Sequence, residues 1–173
     1  MNRSASNNPL KGWQVDRAAI RHVGQDLQRP ECVLAERDGT LWAADARGGV
    51  MRIGTDRSQE LVTPRVVVEP SGPEGFEARY VQADGSLPNG LAFDAHGDFI
   101  IANWGTDAIE RMDRTGAMQT LHDRIDGEPL GKANFVLRDR KGRIWFTVTT
   151  RQAPWTRQLQ TKENDGYIGL MDE

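Results

Sequence analysis

The sequence predicts an all-β fold, a β-propeller of four-stranded antiparallel blades, and three observations predict it. First, a carboxylate or amide residue is followed eight positions later by a glycine and then by an apolar strand. This happens three times: Glu31 to Gly39-Thr40-Leu41-Trp42, Asn89 to Gly97-Asp98-Phe99-Ile100, and Asn134 to Gly142-Arg143-Ile144-Trp145. Second, the units recur after 58 and then 45 residues, close to the length of a propeller blade, about 40–45 residues or slightly more. Third, no segment keeps a helical period over several turns.

Each element follows from its residues. Met1 to Asn8 is polar and lacks the apolar core of a signal peptide, so residues 1–17 read as a mobile leader and 18–173 as a partial propeller. Residues 18–24, containing Ala18-Ala19-Ile20-Arg21-His22-Val23, read as the outer strand that closes the ring's last blade. The blades then start near residues 31, 89 and 134.

Within each unit, Val33-Leu34-Ala35, Leu91-Ala92-Phe93 and Phe135-Val136-Leu137 give a first strand. Asp38-Gly39, His96-Gly97 and Lys141-Gly142 give the turn, since glycine takes positive φ without steric cost. Leu41–Ala44, Phe99–Ala102 and Ile144–Thr147 are apolar second strands, as strands buried between stacked sheets are. Third strands are Val50–Ile53, Ala108–Met112 and Tyr167–Met171. Fourth strands appear twice, as Glu60–Val62 and Met118–Leu121. The Pro- and Gly-containing run Ser71–Gly75 reads as an insertion that lengthens the first interval. A propeller closes with at least about four blades, and the third unit here stops at its third strand. The chain therefore reads as about three blades of a truncated six-bladed ring, with uncovered terminal blades through which it would self-associate.

Composition narrows the function. With 38% hydrophobic and 27% charged residues the chain is globular, and a net charge of −3 argues against a nucleic-acid partner. No apolar run approaches the roughly 18 residues of a membrane span. Cys32 is the only cysteine, so a cysteine zinc cage is excluded and a reducing, cytoplasmic setting is expected. No His-Glu-x-x-His, Gly-x-Ser-x-Gly or phosphate-binding glycine loop occurs.

If the units are structurally equivalent, Glu31, Asn89 and Asn134 share one corner and face a common centre. Glutamate and asparagine oxygens suit a hard cation. The competing readings are a solvated carboxylate at Glu31 and, for Asn89-Gly90, an ordinary turn dipeptide. Trp42 and Trp145 fall at matching places and are expected in the core between blades. Trp104 and Trp155 are either lining for a substrate mouth or anchors for their loops. Asp45 and Asn103 share a repeat offset and are expected to be structural. Arg151 is a candidate to hold an acidic or hydroxylated substrate.

Several segments together resemble one family, that of senescence marker protein (regucalcin), gluconolactonases and luciferin-regenerating enzyme. The resemblance rests on Pro30-Glu31 before Gly39-Thr40-Leu41-Trp42, on Leu87-Pro88-Asn89-Gly90-Leu91-Ala92-Phe93-Asp94, and on Ala133-Asn134 before Gly142-Arg143-Ile144-Trp145-Phe146-Thr147. It implies a six-bladed propeller carrying a divalent cation, usually calcium, with zinc or manganese as alternatives. It also implies Glu31 as a metal ligand and Asn134 as a ligand or substrate contact, and Asn89, at the equivalent place in the second blade, is read as a ligand or substrate contact too. A further asparagine and the aspartate that acts as ligand and base belong to later blades of the family, beyond Glu173. The expected function is metal-dependent hydrolysis of sugar lactones or related esters. The alternative is a non-catalytic propeller that binds a small molecule or a protein partner.

Overall fold

The computed structural model of the chain describes residues 10–64, 85–161 and 164–172. Strands β1 (Val33–Ala35), β2 (Leu41–Asp45), β3 (Gly49–Ile53) and β4 (Gln59–Val62) form a four-stranded antiparallel sheet in chain order. Strands β5 (Pro88–Phe93), β6 (Phe99–Asn103), β7 (Ala108–Met112) and β8 (Met118–His122) repeat that sheet. A small hairpin of β9 (Arg124–Ile125) and β10 (Glu128–Pro129) follows. It turns through Asp126-Gly127, both at positive φ, as a two-residue hairpin loop requires. Strands β11 (Ala133–Arg138), β12 (Ile144–Val148) and β13 (Tyr167–Met171) make the third sheet. The strands expected within the three units are therefore present, with β9 and β10 added, and the described helical turns are short 3-10 segments. No helix among the described residues is long and apolar enough to cross a membrane.

The three repeats share one turn down to its hydrogen bonds. Glu36, Asp94 and Asp139 each donate their backbone N–H, at 2.9 Å, to the carbonyl of Thr40, Asp98 and Arg143 respectively. Gly39, Gly97 and Gly142 stand at φ +94°, +85° and +83° in these turns. The aspartates here serve as backbone acceptors. Asp139 takes the indole N–H of Trp145 at 3.0 Å, the Arg143 Nε at 2.8 Å and the N–H groups of Lys141 and Arg143. The Trp145 indole, joined by Arg143 and these backbone donors, outweighs desolvation and holds the Asp139 carboxyl well below the usual range. At Asp94 burial pushes the other way. The N–H groups of Asp98 and His96 and the Arg111 guanidinium outweigh it, so this carboxyl is also lowered.

A carboxyl with a lowered folded value stabilises the fold above its unfolded value, about 3.9, and that contribution is lost as pH falls through the folded value. Acid unfolding is accordingly expected to begin below about pH 4. The Asp139→Asn variant, which cannot ionise there, should show a shallower acid transition by tryptophan fluorescence. An unchanged transition would show that Asp139 contributes nothing to it.

The core lies between sheets, and β6 shows how. Successive strand residues face opposite sides, so Phe99 and Ile101 pack toward the first sheet with Cys32, Trp42, Ala44 and Val50. Ile100 and Ala102 pack toward the third with Ala133, Val136, Ile144 and Phe146. All five residues of β6 are buried, which is why the strand reads as a continuous apolar run. In β12 only Ile144, Phe146 and Val148 are buried. The other face of the third sheet exposes Phe135, Leu137, Trp145, Ile168 and Leu170, the uncovered apolar surface expected of a terminal blade. Trp42 is buried as expected, but Trp145, expected in the core, is 37% exposed. The two are equivalent by register: Trp42 looks toward the second sheet, and Trp145 looks out from the third, where the Arg143 guanidinium lies 5.4 Å from its ring and no described sheet packs over it.

Two further expectations meet the structure differently. Residues 18–24 join no sheet. Arg17–Ala19 is a 3-10 turn whose Ala18 N–H is capped by the Asp16 carboxylate, and Gln25 beyond it exchanges hydrogen bonds with the Gln59 side chain. A strand exists only by pairing, and none of the described sheets offers this segment a neighbour. The Ser71–Gly75 insertion and residues 1–9 of the leader lie outside the described residues.

Candidate functional site

The three repeat-opening residues lie at the same end of their sheets, Asn89 and Asn134 within the first strand and Glu31 just ahead of it, and each sits beside a local backbone irregularity. Asn89 sits where the β5–β6 register shifts between Pro88 and Gly90, and Asn134 where the β11–β12 register shifts between Ala133 and Phe135. A β-bulge of this kind turns one side chain out of the regular alternation. Glu31 lies just ahead of β1. There Arg29 adopts a left-handed backbone (φ +51°) and Glu31 donates its N–H to the Arg29 carbonyl at 2.9 Å. That tight turn folds the Arg29 side chain back across Glu31.

The outcome is one connected group at the corner. Arg29 Nε lies 3.3 Å from Glu31 Oε1. Arg29 Nη1 donates to Asn89 Oδ1 at 3.2 Å, and Asn89 Nδ2 donates to the Asn134 backbone carbonyl at 3.0 Å. Glu31, Asn89 and Asn134, 103 residues apart at the extremes, are thus linked through three sheets. Asn89 is 5% exposed, Asn134 half-buried and Glu31 exposed. Arg29 is the member that sequence reasoning missed. It lies outside the eight-residue spacing and no repeat partner marks it.

Neighbouring residues at this end are occupied structurally. Buried Asp45 accepts the N–H of Gln28 at 3.1 Å, together with the Arg47 N–H and guanidinium, so it anchors the turn before Glu31. Asn103, at the same offset, accepts the N–H groups of Leu87, Gly105 and Thr106 and donates to Ser86 and Glu110. Both match the structural role expected of them. Trp104 is buried and packs edge-on against Trp155, with ring centroids 5.8 Å apart, which anchors the two loops to each other. Cys32 is buried, its thiol is pushed up by desolvation, and its Sγ points at the Leu91 carbonyl of the next sheet at 3.6 Å. It ties sheets together rather than offering a thiolate.

Arg151 is placed apart from the corner group. Its guanidinium stacks 4.6 Å over the Tyr167 ring, and its N–H binds the Asp165 carboxylate. The structure thus brings Glu31, Asn89 and Asn134 together and leaves Arg151 on the third sheet.

No group of three or more histidine, cysteine, aspartate or glutamate side chains that could hold a metal occurs among the described residues. The corner supplies instead one carboxylate and two amide-bearing residues. In type these are all-oxygen donors, which fit a hard cation such as calcium.

Comparison with known proteins bears on the fold. No protein-family model matches the chain, and neither does any curated protein. Among solved structures, a candidate gluconolactonase aligns at TM-score 0.59 and 14% identity over 88% of this chain and 48% of its own. A catalytically inactive virginiamycin B lyase from Staphylococcus aureus, with quinupristin, aligns at TM-score 0.53 and 14% identity over 87% of this chain and 43% of its own. The fold is a partial β-propeller. A gluconolactonase from Xanthomonas campestris shares 26% identity over 65% of this chain and 32% of its own, at a TM-score of 0.49 that adds nothing to this argument. The chain spans less than half the length of each of these proteins. At such identities the likeness carries the propeller architecture alone, since one fold hosts many activities.

Proposed function

We propose that this chain is part of a propeller hydrolase that opens sugar lactones or related esters with the help of a divalent cation. The observation that supports it is the link from Glu31 through Arg29 to Asn89, and from Asn89 to the Asn134 backbone carbonyl, at one corner of three sheets. In this reading Glu31 and Asn134 hold the cation, calcium by donor type, with zinc and manganese as alternatives. Asn89, and Arg151 more remotely, contact the substrate. When bound, the cation would polarise the lactone carbonyl. The chain's own residues do the rest: Asn89 is fixed by the Asn134 carbonyl, and Trp104 and Trp155 hold the surrounding loops. A water molecule attacking a lactone must lose its proton to a base, and in this reading that base is the aspartate of a later blade, with Glu31 kept as a cation ligand.

The test is proton release from aldonolactones, measured with calcium, with a chelator, and in the Glu31→Gln variant. Calcium-dependent opening that falls about tenfold or more in Glu31→Gln is expected. Opening that ignores both the chelator and the substitution would exclude this corner as the centre. A protein that opens no lactone with calcium, zinc or manganese present would be a binding module instead.

A further inference from the structure

The same corner holds a positive charge of its own. Arg29 is mostly buried, its side chain 16% exposed, and its guanidinium bridges the Glu31 carboxylate and the Asn89 amide oxygen. The direction of that amide is settled by its neighbour: Nδ2 faces a carbonyl, the Asn134 oxygen, which can only accept. Asn89 therefore presents its oxygen, its one acceptor, to the guanidinium. Two oxygens from two different sheets thus converge on a single cationic group.

We propose that Arg29 occupies the cation position and competes with a divalent ion for it, so that ion binding requires the guanidinium to withdraw. This rests on the hydrolase reading above and adds a residue that sets the ion affinity. A guanidinium and a divalent ion cannot share these oxygens. Each needs the same lone pairs, and like charges a few ångströms apart repel strongly in a partly buried site. The turn at Arg29-Pro30-Glu31 makes the guanidinium a standing competitor, because the left-handed backbone at residue 29 and the Glu31 N–H bond to its carbonyl direct the side chain back over its own neighbour.

The test is a calcium titration by calorimetry on the full chain, repeated with zinc and manganese, comparing the wild type with Arg29→Asn, Arg29→Gln, the double variant Arg29→Asn with Glu31→Gln and, as a control, Glu31→Gln alone. Asparagine suits the left-handed backbone at residue 29, and glutamine retains a longer stem. A circular dichroism melt confirms that each is folded, so either single variant suffices if the other does not fold. The expected result is calcium bound at least about tenfold more tightly by the single variants than by the wild type, with the gain lost in the double variant. Equal or weaker binding in both single variants, with wild-type binding dependent on Glu31, would overturn the role of Arg29 and leave the hydrolase reading standing. A gain that survives Glu31→Gln would also overturn it, because the ion would then sit elsewhere. No calcium, zinc or manganese bound by any of the proteins would overturn both.

Discussion

Phe99→Ala is expected to lower the unfolding free energy by about 3–5 kcal/mol, a large share of the roughly 5–15 kcal/mol that holds a domain together. Phe99 is 0% exposed. Its ring lies 4.9 Å from that of Trp42 and 5.8 Å from that of Phe93, which joins the first sheet to the second. Arg114 caps the cluster, its guanidinium 4.6–5.1 Å from the three rings, and is held there by Glu36 Oε1 at 2.8 Å and the Gly97 carbonyl. Truncation removes the ring, leaves a cavity, and takes away one of the three rings that support the Arg114 guanidinium. Phe99→Leu, which refills much of that volume, should lose less than half as much. Urea denaturation followed by tryptophan fluorescence reads both variants. A loss under about 1 kcal/mol for Phe99→Ala would show that the first two sheets are not joined through this ring.

Gly90→Ala is expected to cost about 1–3 kcal/mol or more. A Cβ at Gly90 would stand 2.6 Å from Phe135 Cα, 2.8 Å from Val136 N and 2.9 Å from Asn134 O. All three are backbone atoms of the neighbouring sheet, so no side chain can rotate away and the second and third sheets must separate. The residue beside it is Asn89, whose amide reaches the Asn134 carbonyl across the same gap. Stability and the corner geometry should therefore fail together. Thermal denaturation gives the first readout, and the calcium titration of the same variant gives the second. A melting temperature within about 1 °C of wild type would contradict the close approach described here.

Gly90 also shows where sequence reasoning was incomplete. Asn89-Gly90 reads equally as a turn dipeptide, yet both residues lie inside β5. The glycine is there for lack of room, because another sheet's backbone passes against it. A local pattern cannot distinguish a glycine that permits positive φ from one that permits close approach. Trp145 makes the same point from the other side. Its match to Trp42 was correct as a register and misleading as a burial, because burial depends on what the next blade covers. The closing strand over 18–24 has a related dependence: pairing needs a neighbour, none of the described sheets supplies one, and no property of Ala18–Val23 does either.

The sequence by itself determined the strands within the three repeated units, their order, the turns at Gly39, Gly97 and Gly142, and the shared repeat position of Glu31, Asn89 and Asn134. These depend on period, turn chemistry and self-similarity, which are local and repeat along the chain. Only the tertiary structure decided that Arg29 stands between Glu31 and Asn89, and that Arg151 stands with Tyr167 instead. Such placements arise when separate sheets pack, from a backbone turn in one and a bulge in another, and no spacing within a single repeat records where they meet.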